Sequence, residues 1–214
     1  MRIAIMGAGG IGAPLGASLA NAGQGCDLHS PRRPTSPPCA LGVVRQTGKH
    51  HGIVFGNLDG QMTPRGERIR DVCQGAGIDA VLTDDIRLAR WDKFIGLVAA
   101  AGVCALTRQP IGTVRDDPDI APLLKAAMNE AVAVGVACGV RVGPELADKW
   151  SAFFQGLPAA AAPSMAVDLR AGNRLELRWL TGKIVEPGRA HDVPTPVNAV
   201  IYGALKPYAD GARG

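Results

Sequence analysis

Hydrophobic positions change their spacing along the chain, from short runs in the first part to helical intervals in the second. Ile3 to Met6 forms an uninterrupted apolar run, which is typical of a parallel strand buried on both faces. From about residue 86 onward, apolar residues recur at helical spacing, and prolines fall just before or within the first turns of the segments. The pattern predicts an α/β part followed by an all-helical part.

The predicted elements place the domain boundary near Asp84–Leu88, which divides the chain into residues 1–86 and residues 87–214. The strands are expected over 3–6, 23–29, within 43–56 and over 77–83. The helices are expected over 13–20, 65–75, 86–101, 119–138, 144–154, 164–185 and 195–209.

A glycine-rich turn follows the first strand and precedes the first helix. Gly7, Gly9 and Gly12 have the spacing G-x-G-x-x-G, in which they allow a tight turn, close approach to a pyrophosphate and close helix packing, respectively. The free N–H groups of the following helix would face the phosphates. This context favours dinucleotide binding over a merely structural turn. The predicted cofactor-binding residues here are Gly7, Ala8, Gly9, Gly10, Ile11 and Gly12.

The second strand is followed by arginines where a NAD-binding unit would carry an acidic residue. Arg32 and Arg33 favour the 2′-phosphate of NADPH, and loop charges in a proline-rich segment are an equal alternative. Only the 17 residues from Pro34 to His50 separate this point from the next strand pattern. A βαβ unit needs about 30 residues. The predicted fold class is therefore α/β, a truncated Rossmann-type parallel sheet, followed by an all-α C-terminal domain.

Composition and charge exclude several classes of function. The chain has 214 residues, a net charge of +4 and 4% aromatic residues, which argues against nucleic-acid binding. The longest uncharged apolar stretch, Phe94 to Thr107, is too short to span a bilayer, and no signal-peptide pattern is present. We expect a cytoplasmic protein without a metal site or disulfide framework, because the five cysteines are widely spaced: Cys26, Cys39, Cys73, Cys104 and Cys138.

Three residues of the helical part could carry chemistry. Lys93 follows Asp92 at the start of a long apolar run. A lysine at the edge of an apolar cleft can become a proton donor near neutral pH. Without the resemblance given below, the sequence favours the alternative, in which the stem of Lys93 packs along the core and its ammonium group is solvated. Ser164 follows Pro163 and is expected to cap a helix. Glu176 lies about 18 Å further along the same predicted helix, where an ion pair with Arg174 and Arg178 is expected.

Taken together, these stretches resemble the ketopantoate reductases (2-dehydropantoate 2-reductases), NADPH-dependent enzymes of pantothenate synthesis. The resemblance covers about residues 1–30 and 43–208 and is specific in the order and spacing of its motifs over the second half. The matching stretches are Gly7–Gly12, His51–Gly60, Trp91–Phe94, Ala105–Arg108, Ser164 and Met165 with Asp168, Gly172–Glu176, and Val193–Asn198.

The resemblance implies a role for each candidate residue. Lys93 matches the general acid, Ser164 the substrate-binding serine and Glu176 a cofactor contact. The implied reaction is NADPH-dependent reduction of 2-dehydropantoate to pantoate. The implied partner is a small 2-keto acid, with neither nucleic acid nor membrane and with a homodimer allowed. The first domain would bind NADP, and the second would bind substrate or mediate dimerisation.

Two departures from the family pattern qualify this interpretation. Leu97 and Ala101 occupy places where typical members have asparagines that line the substrate pocket, which loosens the identity of the substrate. The middle of the Rossmann domain is missing from this chain. In family members that segment carries a further cofactor contact and an asparagine that binds the substrate. The alternative function is therefore a non-catalytic, truncated remnant that acts at most as a packing or dimerisation module.

Overall fold

The computed structural model describes residues 2–6, 12–29 and 52–211. The chain divides into two compact units, Met1–Ile86 and Arg87–Gly214. Parallel strands with helices occur in the first unit, and only helices and connecting segments occur in the described residues of the second. The predicted fold class is thereby confirmed. The roles assigned to the two domains stay predictions.

The first unit alternates strands and helices. Its elements are β1 (Arg2–Met6), α1 (Gly12–Asn21), β2 (Gly25–His29), β3 (Gly52–Phe55), α2 (Pro64–Gly75) and β4 (Asp79–Leu82). β1 pairs in parallel with β2, so that Ile3 lies opposite Cys26, and β3 pairs in parallel with β4, so that Ile53 lies opposite Ala80. Within the described residues the two pairs form separate two-stranded sheets.

A small apolar cluster joins these elements. Leu19 of α1, Cys73 of α2 and Ile78 and Ala80 beside and within β4 are buried in it. Partly buried residues from the other strands pack against them: Ile3, Ile5, Ile53 and Phe55. Alternate residues of β1 and β3 therefore face the core, as the period of a strand requires.

The second unit is built around one long helix. Its helices are α3 (Ile86–Thr107), α4 (Ile111–Asp116), α5 (Ala121–Ala137), α6 (Glu145–Gln155), α7 (Ser164–Ala171), α8 (Gly182–Ala190) and α9 (Pro196–Leu205), and a short 3₁₀ turn follows at Lys206–Tyr208. α3 is buried along most of its length from Ile95 to Ala105. Met128 of α5, Ile184 of α8 and Ile201 of α9 belong to the same core. A helix that is apolar on nearly all sides is expected at the centre of such a domain.

Several predicted boundaries are wrong. α3 continues six residues beyond the predicted end at Ala101, and α4 lies in a segment for which no helix was predicted. The predicted helix over 164–185 is two helices, because α7 ends at Ala171 and is capped by Gly172. This glycine has a left-handed φ of 70°; its amide donates to the Leu169 oxygen at 3.3 Å, and the amide of Asn173 donates to the Asp168 oxygen at 2.9 Å. A glycine in this conformation satisfies the last carbonyls and terminates a helix.

No helix among the described residues is both long enough and apolar enough to cross a membrane. In the same part of the chain, no three His, Cys, Asp or Glu side chains come together in a way that could hold a metal ion.

Candidate active site

The predicted phosphate cradle lies between β1 and α1. Gly7, Ala8, Gly9, Gly10 and Ile11 lie outside the described residues, as does Arg32. Gly12 is the first residue of α1. The order of strand, glycine segment and helix that the motif requires is present, with β1 in a parallel pair.

Lys93 lines a cavity of about 240 Å³ on the surface of α3. Gly96, Leu97 and Ala100 follow it on the same side of the helix at three, four and seven residues, and all three line the cavity. The opposite wall comes from α6 and the segment after it. Its residues are Trp150, Phe153, Phe154, Leu157, Ala161, Ala162 and Pro163, and Ile111 of α4 completes the lining.

The indole of Trp150 is held in place by Asp92, the residue before Lys93. Its Nε1–H donates to the Asp92 backbone oxygen at 2.7 Å and to the Asp92 carboxylate at 3.0 Å. The same carboxylate pairs with Lys149 of α6. The ring centroid of Trp150 lies 5.0 Å from that of Phe153, edge to face. These bonds orient an aromatic wall toward the cavity.

The segment between α6 and α7 is held by the first turn of α4. The amide of Ile111 donates to the Ala161 oxygen at 2.8 Å, and the amide of Gly112 donates to the Ala159 oxygen at 3.0 Å. Arg115 donates through Nη1 to the carbonyl oxygens of Phe154 and Leu157, at 2.5 and 2.6 Å. The first amides of α4 thus bond the segment after α6, and the guanidinium of Arg115, from the last turn of α4, bonds the carbonyl oxygens at the end of α6. The cavity wall is therefore fixed by two backbone hydrogen bonds and by the Arg115 side chain.

The ammonium group of Lys93 has no hydrogen bond or ion pair with the described residues, and its side chain is exposed. Its neighbour Lys149, by contrast, pairs with Asp92. An exposed, unpaired ammonium at the mouth of an apolar cavity is compatible with both roles considered for Lys93, a solvated charge and a proton donor. Its catalytic role stays a prediction.

Ser164 is the first residue of α7, and its expected capping role is wrong. The N-cap is Pro163, and no side-chain capping hydrogen bond is formed. The Ser164 hydroxyl is exposed and makes no hydrogen bond within the described part of the chain. Pro163 lines the cavity that Lys93 also lines, and Ser164 follows it in the chain without being a lining residue.

Glu176 lies in the connection between α7 and α8 and not on a continuous helix. The expected ion pair with Arg174 or Arg178 is absent from the described residues, and the Arg178 guanidinium instead lies 5.6 Å from the ring centroid of Trp179. The Glu176 side chain is exposed. Its role as a cofactor contact stays a prediction, as does that of Gly12.

The structure adds cavity residues that the sequence did not single out. Trp150, Phe153 and Phe154 are three aromatic residues within five positions of one helix, in a chain that is otherwise poor in aromatics. This clustering of aromatic residues was the sequence signal that could have identified the cavity wall. Of the two departures noted at asparagine positions, Leu97 lines the cavity, whereas Ala101 is buried in the core with 1% exposure.

The fold is shared with solved oxidoreductases. A dimeric ketopantoate reductase from Staphylococcus aureus superposes with a TM-score of 0.80 at 18% identity, covering 98% of this chain and 99% of that chain. D-mandelate dehydrogenase in complex with NADH superposes with a TM-score of 0.79 at 15% identity, over 98% and 99% of the two chains. At these identities the likeness defines the fold, which is that of the ketopantoate reductases and D-mandelate dehydrogenase.

The model of the family "Ketopantoate reductase PanE/ApbA C terminal" matches residues 85–209. The chain therefore belongs to the ketopantoate reductase family, and the resemblance drawn from its motifs is confirmed. The 2-dehydropantoate 2-reductase of Caulobacter vibrioides is 30% identical over 142 residues, which cover 66% of this chain and 48% of that protein. The chain spans about half the length of the curated relatives it matches.

Proposed function

We propose that this chain binds NADPH and reduces 2-dehydropantoate to pantoate, a step of pantothenate biosynthesis, with Lys93 as the general acid. Membership of the family and the name 2-dehydropantoate 2-reductase of the curated relatives support this proposal. The observation that carries it is the ammonium of Lys93, which lines a cavity of about 240 Å³ and has no partner among the described residues. A cavity of this size suits a small organic acid and not a large ligand.

The order of elements in the first unit supports binding of a dinucleotide. β1 runs parallel to β2, and α1 follows β1 after the glycine segment, which is the order in which a helix start meets a pyrophosphate. In the proposal, Gly7 to Gly12 cradle the pyrophosphate, Arg32 binds the 2′-phosphate and Glu176 makes a further contact. When bound, NADPH supplies a hydride to the carbonyl carbon of the substrate.

Lys93 and Ser164 act on the substrate itself. As the new C–H bond forms, Nζ of Lys93 gives a proton to the carbonyl oxygen, and the C=O bond becomes CH–OH. The positive charge of the ammonium stabilises this oxygen as negative charge develops on it. The resulting neutral amine takes up a proton from water, to which Lys93 is exposed. The hydroxyl of Ser164, which has no hydrogen bond with the part of the chain that the structure describes, binds the substrate carboxylate together with the first amides of α7.

Turnover and binding together test this assignment. Lys93→Ala is expected to lower kcat roughly 10²- to 10⁴-fold, because the proton donor is lost, while NADPH binding measured by tryptophan fluorescence stays unchanged. Lys125→Ala is the matched control: Lys125 is a lysine of α5 that pairs with Asp148 and does not line the cavity. Equal rates for wild type and Lys93→Ala would reject the role of Lys93.

The alternative function, a non-catalytic remnant that serves at most as a packing or dimerisation module, is favoured by one observation. The chain spans only about half the length of its curated relatives. This alternative predicts no saturable binding of NADPH up to millimolar concentration, so the same titration separates the two functions. A homodimer, which the dimeric S. aureus neighbour supports, is part of the proposal in either case.

A further inference from the structure

The cavity beside Lys93 offers almost no hydrogen-bonding side chain to a ligand. Apart from Lys93, its lining side chains are aliphatic or aromatic. The one polar group on their rings, the indole N–H of Trp150, already donates to Asp92. A hydroxyl group placed against this lining would lose its bonds to water and find no side-chain replacement. Burying a hydroxyl group without a hydrogen-bond partner is unfavourable, because its bonds to water are not replaced.

Leu97 makes the part of the cavity beside Lys93 apolar. It lies one helical turn after Lys93 on the same side of α3, lines the cavity and is 40% exposed. A substrate whose carbonyl oxygen meets the ammonium of Lys93 would therefore place its side chain against Leu97. Ala100 continues this wall in the next turn, and the aromatic rings of α6 face it.

We propose that the cavity selects 2-oxo acids whose side chain is an unsubstituted branched or aromatic hydrocarbon over the hydroxylated side chain of 2-dehydropantoate. This inference rests on the proposed function, since it assumes that Lys93 and Ser164 receive the 2-oxo acid group. The apolar wall gains from each added hydrocarbon group, and it rejects an added hydroxyl up to about 100-fold. The hydroxylated acid remains a substrate, with lower kcat/KM.

A matched pair of substrates isolates the hydroxyl. The acid 3,3-dimethyl-2-oxobutanoate differs from 2-dehydropantoate only in lacking its hydroxyl group. With NADPH as reductant, we expect kcat/KM for this acid to exceed that for 2-dehydropantoate by about 10- to 100-fold. Phenylpyruvate, with its aromatic side chain, should share the advantage. The variant Leu97→Asn, which is close to leucine in size but can donate and accept hydrogen bonds, should shift the ratio toward the hydroxylated acid.

Leu123→Asn is the control variant, because Leu123 on α5 has the same 40% exposure but does not line this cavity. It should leave the substrate ratio unchanged. A ratio that favours 2-dehydropantoate would overturn the inference and leave the proposed function standing.

A binding measurement separates the remaining outcomes. The affinities of both acids for the wild-type chain are compared by quenching of tryptophan fluorescence, which does not depend on turnover. Tighter binding of the hydrocarbon acid without NADPH oxidation would reject the proposed function and retain the selectivity of the cavity. Tighter binding of the hydroxylated acid, or binding of neither acid, would overturn the inference.

Discussion

The indole ring of Trp150 packs directly against the backbone of Gly96, three residues after Lys93 on α3. A Cβ atom at position 96 would overlap the ring. The close approach is reinforced by the hydrogen bonds from Trp150 to Asp92, one turn before Gly96. The absence of a side chain at one position of α3 thus allows α6 to supply the aromatic wall of the candidate active site.

Gly96→Ala should destabilise the protein and disturb the cavity. The added methyl group has to displace the Trp150 ring, and overpacking of this kind costs about 1–3 kcal/mol. The higher helix propensity of alanine offsets at most about 1 kcal/mol of this cost. Denaturant unfolding measures the stability, and KM for the 2-oxo acid should rise because the wall moves.

Gly203→Ala provides the contrast for this substitution. Gly203 lies on α9, and a Cβ atom there would meet nothing within 4 Å. This variant should gain about 0.5–1 kcal/mol from the helix propensity of alanine alone. If both alanine variants were stabilised, the close packing of Trp150 on Gly96 would be contradicted.

These neighbours show what the sequence could and could not predict. The strand, the glycine spacing and the helix that carries Lys93 follow from local patterns, so β1, α1 and most of α3 were predictable. Trp150 follows Lys93 by 57 residues, and nothing local relates the two positions. The clustering of Trp150 with Phe153 and Phe154 indicated an apolar helix face. Which helix packs against that face is decided by tertiary structure, which local sequence patterns do not reveal.

The division of the predicted helix over 164–185 has a different reason. Apolar residues recur at helical intervals on both sides of Gly172, and the prediction of one continuous helix followed this periodicity instead of the helix-ending signal of the glycine. The glycine, followed by Asn173, was nevertheless a recognisable end signal. The division also changes the position of a candidate site residue, because Glu176 lies outside the helix that begins at Ser164.

Glu130 of α5 caps the first turn of α9. Its carboxylate accepts hydrogen bonds from the amides of Val197 and Asn198, at 2.8 and 2.9 Å, and from Nδ2 of Asn198 at 2.7 Å. Asn198 is fully buried and also donates to the Ala127 oxygen. The stretch that ends at Asn198, which helped to identify the family, therefore includes a structural contact between two helices. An anion at a helix start is favoured by its free amides and dipole.

Glu130→Ala should lower the free energy of unfolding by about 2–4 kcal/mol, because three donors lose a charged acceptor and the buried Asn198 amide loses one of its partners. Glu130→Gln should cost less, since one amide oxygen can still accept. The control is Glu186→Gln, an exposed residue that pairs with Lys183 three positions away, and it should leave stability unchanged within error. Equal effects at positions 130 and 186 would show that the cap does not stabilise the fold.

The buried thiol of Cys104 gives the stability of the protein a defined dependence on alkaline pH. Cys104 lies inside α3 with no exposed surface, and burial raises its pKa from 9.0 to about 11, against a smaller lowering by the charge of Arg170. Above pH 9 the unfolded chain loses this proton while the folded chain retains it. The unfolded state then binds fewer protons, so the contribution of this group is fully present below pH 9 and declines between pH 9 and 11.

Comparison with Cys104→Ala isolates this contribution, because the other titrating groups are common to both proteins. The difference in unfolding free energy between wild type and variant should be constant from pH 6 to pH 8. It should then move in favour of the variant between pH 9 and 11, since alanine does not ionise. A difference that stays flat across pH 11 would mean that the thiol has the same pKa in the folded and unfolded chains. Labelling with a thiol reagent at pH 8 gives an independent readout, in which Cys104 should react only after unfolding.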